Sequence, residues 1–413
     1  MSLLRRARRR HLPPLGPDFT RLWSASAITN LGDGALLAAG PLLAACLSSS
    51  AVAVSAAVVV QQLPKLLFAL FAGALVDRLP RRAVLVAANL ARSAVLGVLA
   101  LTVLTGDVHR GLFYSALFLM GVGESLADTA YGAILVCAVD RASLGRANTR
   151  LALTFSLNNQ LLGPPLGALA FAVLWALPFA FDAMAFALAG LLTARISQVS
   201  TPTPETEEVE QATLRAQITR GLVFVWTTPG LRTLCGCILV MNLTGVGAFA
   251  IWVLYAREHL GLSDTGFGFF ISAGAVGGIA GSWMYGWLEQ RVGRGWILRV
   301  GLLVESGTYA ALALATDGVV AGGIMGLFGV HTMVWGIAAT TVRQRLTPDH
   351  LLGRVGSAYM VADLGGVALG ALAGGFLAEY VGLLVPFWIA AGAVGLLAVV
   401  AWPSLGRTEQ TTV

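Results

Sequence analysis

Long apolar runs alternate with short polar connections along almost the whole chain. A single bilayer crossing needs about 20 predominantly apolar residues. Twelve runs meet that need, roughly 21–46, 51–75, 83–104, 111–139, 148–174, 178–196, 231–256, 265–288, 296–315, 319–341, 355–379 and 383–403. Backbone polar groups in hydrocarbon must be satisfied within the segment, so each run predicts a helix. The expected fold class is an all-α polytopic membrane protein, with twelve transmembrane helices arranged as two pseudo-symmetric six-helix bundles. The first run is too long for the apolar part of a signal peptide and is followed by further spans, so it reads as a retained helix.

The polar connections carry the second signal. If the spans alternate, all 27 basic residues except Arg110, Arg257, Lys65 and Arg92 fall on the side that holds the N-terminus. Basic loops stay on the cytoplasmic side. The chain is therefore expected to be a multi-pass protein of the bacterial inner (plasma) membrane with both termini in the cytoplasm. The cluster Arg5, Arg6, Arg8, Arg9 and Arg10 reads as an orientation tail rather than a lipid or nucleic-acid site. The expected organisation is a basic tail 1–20, a bundle 21–196, a cytoplasmic linker 197–230, a second bundle 231–403 and a tail 404–413. The linker opens with Ser, Thr, Pro and the acidic run Glu205, Glu207, Glu208 and Glu210. Leu214, Ile218, Leu222 and Val225 then follow at helical spacing, a face suited to the membrane surface or to docking on the bundle.

Composition narrows the function classes. Hydrophobic residues make up 57% of the 413 and charged residues 12%, against about 25% charged in soluble domains. That excludes a soluble enzyme, a disordered chain and a nucleic-acid-binding domain. The net charge of +6 records orientation rather than an acidic partner. Lys65 is the sole lysine, a bias that suggests a GC-rich bacterial genome. Cys46, Cys137, Cys235 and Cys237 match no zinc or redox spacing and read as packing residues. HExxH, GxSxG and Walker A sequences are absent, so neither a membrane-embedded hydrolase nor an ATPase is expected.

The two halves repeat each other. Asn30-Leu31 recurs as Asn242-Leu243. Gly73-x-Leu75-x-Asp77-Arg78-x-x-Arg81 recurs as Gly286-x-Leu288-x-Gln290-Arg291-x-x-Arg294. Gly145-Arg146 recurs as Gly353-Arg354, and Gly163-x-x-x-Gly167 as Gly370-x-x-x-Gly374. Four ordered matches at almost one offset point to parallel six-helix repeats, the layout of alternating-access transporters.

These residues resemble a known family. Gly73-Ala74-Leu75-Val76-Asp77-Arg78-Leu79-Pro80-Arg81-Arg82 looks like motif A of the major facilitator superfamily, with Pro80 where glycine is usual. Gly163-Pro164-Pro165-Leu166-Gly167 resembles the core of motif C of its exporters, with Asn159 and Ala168 in place of the outer glycines. Asn30-Leu31-Gly32-Asp33, Leu144-Gly145-Arg146-Ala147-Asn148 and Phe181-Asp182-Ala183 look most like the enterobactin-exporter and macrolide-efflux branch of drug:proton antiporters. The resemblance spans residues 20–403. It implies that Asp77 latches onto the N-terminus of span 11, that Arg81 pairs with Asp140, and that Gly73, Arg78 and Arg82 complete the latch. It also implies that spans 1, 4, 7 and 10 line the cavity, and that a kinked span 5 restrains leakage between the halves.

Embedded charges are expensive in hydrocarbon and mark pathways or pairs. At ~1.5 Å per residue, Asp33, Lys65, Asp128, His331 and Asp363 fall about 15–18 Å from the cytoplasmic charge layer, near the middle of a ~30 Å core. Glu124 is one turn from Asp128 on the same face. Acids outnumber bases: Asp33, Glu124, Asp128, Asp182, Glu305 and Asp363 face Lys65, Arg92 and a titratable His331. An unpaired buried carboxyl exchanges protons near neutral pH. Asp33, Glu124, Asp128 and His331, with Asn30, are the candidates for proton coupling and substrate contact, all expected inside the cavity. Trp252 and Trp335 are candidates to stack on a flat or cationic ligand. Lys65 with Asp363 would form an embedded ion pair, and the repeat-equivalent Arg92 and Glu305 would play structural parts. A wet position near the outer end of span 6 is expected for Asp182. Trp23, Trp226, Trp287, Trp296 and Trp402 look like interfacial belt residues.

The leading expectation is a secondary transporter that exports an amphipathic small organic molecule by alternating access, in exchange for protons. The alternatives are an importer of the same fold and a non-transporting receptor or scaffold. The expected partners are the substrate, protons and the bilayer, with no nucleic acid. The expected form is a monomer without metal or cofactor, driven by the proton motive force.

Overall fold

A computed structural model describes residues 15–140, 143–197, 214–348 and 351–407, with the side chains of 66, 69–78, 214–220 and 407 outside the description. The basic cluster at 5–10, the acidic run at 205–210 and the last six residues lie outside the described residues.

The N-terminal half contains α1 (Pro17–Leu47), α2 (Ala51–Arg78), α3 (Arg81–Thr105), α4 (Arg110–Ala138), α5 (Leu144–Thr154), a π-helical stretch Phe155–Leu162, α6 (Gly163–Val173) and α7 (Leu177–Ala194). The linker helix is α8 (Leu214–Thr227). The C-terminal half contains α9 (Pro229–Phe249), the short α10 (Trp252–Leu254), a π-helical turn Tyr255–His259, α11 (Asp264–Leu314), α12 (Gly318–Leu346), α13 (Leu352–Tyr380) and α14 (Val385–Arg407). Among the described residues, eight helices are individually long and apolar enough to cross a membrane. Of these, α11 is two spans in one: its 51 residues break at Gly293, whose φ of 76° turns the chain back. α5, the π stretch and α6 together make the fifth span. The chain is thus a multi-pass all-α protein of twelve spans in two six-helix bundles.

Prolines and glycines set the local shape. Pro164 and Pro165 have no N–H to donate, and the helix before them widens into the π form. Pro165 leaves the Leu161 carbonyl without its usual i+4 donor, and Ser272 Oγ, from the other half, donates to it at 2.8 Å. Close approach needs glycine at Gly163, where a Cβ would lie 2.5 Å from Gly34 Cα. The motif-C-like Gly167 likewise meets the Ala35 backbone.

Among the described residues, the halves meet at the Arg-poor end. There α4, α11 and α12 begin on caps from their own flanking residues, His109, Ser263 and Asp317. α2 differs. Ser50 caps Ala53 N, and Glu379 of α13 reaches across from the other half. Its Oε2 accepts from Ser50 Oγ at 2.5 Å and from Val52 N at 3.0 Å. Beneath it, Gly375 leaves room for Ser55. Gly268 of α11 lies against Ala168 and Pro164, and Arg257 Nη1 lies 3.8 Å from Cys46 Sγ.

At the Arg-rich end, tryptophan and arginine pair as interfacial residues do: Arg291 with Trp287, Arg150 with Trp23, and Arg299 with Trp296 and Trp402. The linker helix docks on the bundle: Gly221 abuts the Arg354 carbonyl and Val225 is buried, while Leu222 is exposed. Leu214 and Ile218 have side chains outside the described residues.

Candidate functional site

A cavity of about 810 Å³ runs between the halves. Helical spacing builds its walls. Along α2 the lining residues include Val54, Val58, Gln61 and Lys65. Along α3 they are Leu85, Asn89, Arg92, Leu96 and Leu99. Along α4 they include Phe113, Leu117, Met120, Glu124, Asp128 and Tyr131. Each set repeats every three or four residues, one face of each helix. From α1 come Ser26, Thr29, Asn30 and Asp33. The C-terminal half supplies only Phe249, Ala250, Trp252, Val253, Phe267 and Ile271.

Among the described residues, five charged side chains face this space, all from the N-terminal half. Arg92 Nη2 donates to Asp33 Oδ1 at 2.8 Å, and Lys65 Nζ to Glu124 Oε1 at 2.8 Å. Asp128 is exposed to the cavity without a hydrogen bond or ion pair among the described residues. Asn30 Nδ2 donates to Ser26 O at 2.7 Å, turning the amide along its own helix. Trp252 meets Phe249 edge-on, with ring centroids 4.0 Å apart, and Phe270 at 5.4 Å. The result is a polar floor with one acid in excess, facing an aromatic wall.

Several expectations are corrected. The pair Lys65–Asp363 is not formed. α2 turns Lys65 toward α4, where Gly121 lets the two helices close at Gln61 and Pro64. Asp363 instead accepts from Asn242 Nδ2 at 2.6 Å. Asp33 and Glu124 are not unpaired acids, since each holds a base. His331 and Trp335 are outside the cavity. His331 Nε2 lies 3.1 Å from Glu305 Oε2, both buried, and Trp335 Nε1 donates to Leu298 O at 3.3 Å. Gly301 on α11 makes the space for both rings, so this face of α12 packs inward on α11. Tyr309 completes the cluster, donating to Glu305 Oε1 at 3.4 Å. Glu305 thus pairs with His331, and its repeat mate Arg92 with Asp33. α12, the tenth span, lines none of the cavity, whereas α2 and α3 do. Asp182 is not wet: it is fully buried.

At the motif-A region, α2 runs to Arg78, but the side chains of Gly73, Asp77 and Arg78 lie outside the described residues. Arg81 does not pair with Asp140. Its Nη1 lies 4.0 Å from Cys137 Sγ, and Asp140 is exposed. Arg82 Nη1 donates to Ile196 O at 2.8 Å, tying α3 to the end of α7. Pro80, at the position usually held by glycine, is the N-cap residue of α3.

Many cavity residues lie outside the sequence expectations, among them Gln61, Asn89, Tyr131, Phe249 and Phe267. Gln61, Asn89 and Tyr131 each stand three or four residues from a charged cavity residue on the same helix. Phe249 and Phe267 belong to the facing wall. Helical spacing from Lys65, Arg92 and Asp128 is enough to find the first three.

The chain matches the Major Facilitator Superfamily over residues 22–362 and 234–412. It is 27% identical over 394 residues to the multidrug efflux pump Tap of Mycolicibacterium fortuitum, covering 91% of this chain and 93% of that one. Among solved structures it is similar to a mutant form of the nucleoside transporter NupG (TM-score 0.77, 11% identity, covering 94% of this chain and 99% of that one). A bacterial homologue of the iron transporter ferroportin in the inward-facing state gives a TM-score of 0.75 at 19% identity, covering 94% and 98%. A bacterial homologue of ferroportin in the outward-facing state with soaked iron gives 0.59 at 20% identity, covering 94% and 99%.

Proposed function

Because this chain belongs to the Major Facilitator Superfamily, a family of transporters rather than enzymes, we propose that it exports amphipathic organic cations in exchange for protons. The observation that carries this reading is the cavity. Three carboxylates and two bases stand opposite the aromatic face of Phe249, Trp252 and Phe267. A lipophilic cation matches both surfaces: its charge balances the excess acid at Asp128, and its apolar body stacks on the rings.

The Arg-rich end is taken as cytoplasmic. The inter-half hydrogen bonds at Glu379 and Ser272, and the Arg257–Cys46 contact, lie toward the other end. The state described is therefore read as inward-facing, and the higher score against the inward-facing ferroportin homologue supports this. The efflux pump Tap supports export. The proton gradient supplies the energy, with no cofactor needed.

The test uses cells loaded with ethidium. Efflux should stop when the proton gradient is dissipated, and purified protein should bind tetraphenylphosphonium. Asp128→Asn should weaken that binding about tenfold, the equivalent of ~1.4 kcal/mol, and leave binding of neutral probes near wild type. Energised uptake of the cation, or wild-type affinity in Asp128→Asn, would sink the proposal.

A further inference from the structure

Asp182 of α7 packs against α1 at Gly32 and does not line the cavity. It is 0% exposed, and neither carboxyl oxygen has a hydrogen-bond partner among the described residues. Its carboxyl group fills the notch left by the missing side chain of Gly32, the residue before Asp33. Arg92 threads in from α3. Its stem lies against Gly123, where a Cβ would meet its Cγ at 2.6 Å. Its guanidinium carbon lies 3.8 Å from the centre of the Phe186 ring. Phe186 is one helical turn from Asp182 on α7. One guanidinium thus acts on two carboxyl groups and, among the described residues, bonds to Asp33 alone, while its Nε lacks an acceptor.

The charges do not balance if both acids are ionised. An isolated charge with no water and no partner is strongly disfavoured, and such a group neutralises itself instead. The groups that face Asp182 are few. α1 offers Asp33, α3 offers Arg92, and α6 carries no titratable side chain. Ser93 is committed to the Ala183 carbonyl. Across the cavity, Asp33 in turn faces Glu124 and Asp128, with Lys65 held on Glu124. With Arg92 on Asp33, the Asp182 site fits the neutral acid.

We propose that Asp182 carries the exchanged proton and that Arg92 changes partner between Asp33 and Asp182. This rests on the cation-for-proton reading above. A cation drawn in by the excess charge at Asp128 also takes the facing Asp33 carboxylate, which reaches the cavity where Asp182 does not. Arg92, released, turns about its Phe186 contact to Asp182. The Asp182 O–H bond then breaks heterolytically: the electron pair stays on the carboxylate, now paired with Arg92, and the proton leaves to cavity water. The reverse step reloads the proton and expels the cation. Substrate and proton therefore compete through one arginine and never occupy the same carboxyl group. Asp182 is a positioning and proton-holding residue, without contact to the substrate.

The experiment adds tetraphenylphosphonium to the purified full-length protein in weak buffer with a pH-reporting dye. Wild type should release a proton for each cation bound, and its affinity should fall about tenfold per pH unit on acidification. Asp182→Asn should still bind the cation and support gradient-free exchange, but release no proton and bind independently of pH. Asp182→Glu should restore part of the release. Proton release of wild-type size in Asp182→Asn overturns this assignment while leaving the exchange reading intact. No release from wild type overturns both. Infrared difference spectra of the wild type cover the case of a variant that fails to fold. Cation binding should remove a protonated-carboxyl band, and an unchanged band refutes the proposal.

Discussion

Lys65 settles its charge on Glu124, and a glycine decides the matter. At Gly121 the backbone of α4 comes up to Gln61 and Pro64 of α2, which brings the two side chains to 2.8 Å. Both are about 30% exposed, so neither is stranded far from water, yet each would lose its partner if the other were removed. Lys65→Gln and Glu124→Gln should each lower the melting temperature of the purified protein by more than the double change does. The coupling should be of the order of 1 kcal/mol. Asp363→Asn should add to Lys65→Gln without coupling, because Asp363 is held by Asn242. Coupling of Lys65 to Asp363 in this cycle would contradict the pairing described. The depth of these charges along their helices was legible, because ~1.5 Å per residue converts position into height. Their partners were not, because the angle around each axis is set by which neighbour packs closest. The same limit hid Asp182: its rank in span 6 said nothing of the notch at Gly32.

At the scale of the element, twelve spans and a helix in the linker were readable from apolar run length and helical spacing. The spacing left open whether that helix lies on the membrane or docks, and Leu222 of its apolar face is exposed. The π stretch was not readable. It follows from the joint absence of two proline donors together with the demand of α1 for a flat neighbour. Gly163 is where that demand is sharpest. Gly163→Ala puts a methyl against Gly34 Cα and should force α1 and α6 apart, costing about 1–3 kcal/mol of stability and most of the transport. Gly97 of α3 has nothing within 4 Å of an added Cβ. Gly97→Ala should be neutral or stabilise by about 0.5–1 kcal/mol. Melting temperatures of the two variants compare them directly, and equal effects would remove the close-approach explanation.

Across the whole molecule, the Arg-poor end is held by a helix cap borrowed from the opposite half. Opening that end must separate Glu379 from Ser50 and from Val52 N. Glu379→Gln keeps the shape but removes the charge that favours a helix N-terminus, so the population should shift toward opening there. Cys46, half-buried beside Arg257, reports on it. Its labelling in intact cells by a membrane-impermeant maleimide should rise severalfold in Glu379→Gln, while labelling of Cys137 at the other end should not rise. An unchanged Cys46 rate would mean that the cap does not hold the end shut.

Among the described residues the cavity's charged groups all come from the first half, while both halves contribute aromatic rings: Phe113, Tyr131, Phe155 and Phe179 from the first, Phe249, Trp252 and Phe267 from the second. The charge-handling duty thus rests with one half alone, which makes it separately inheritable. A hybrid that joins residues 21–196 to the second bundle of a relative would keep this protein's appetite for charge and acquire the relative's taste in shape. Selection on the aromatic wall could then widen or narrow the range of molecules accepted without disturbing the ionic machinery opposite, so diversification of cargo and preservation of energetics need not compete for the same residues.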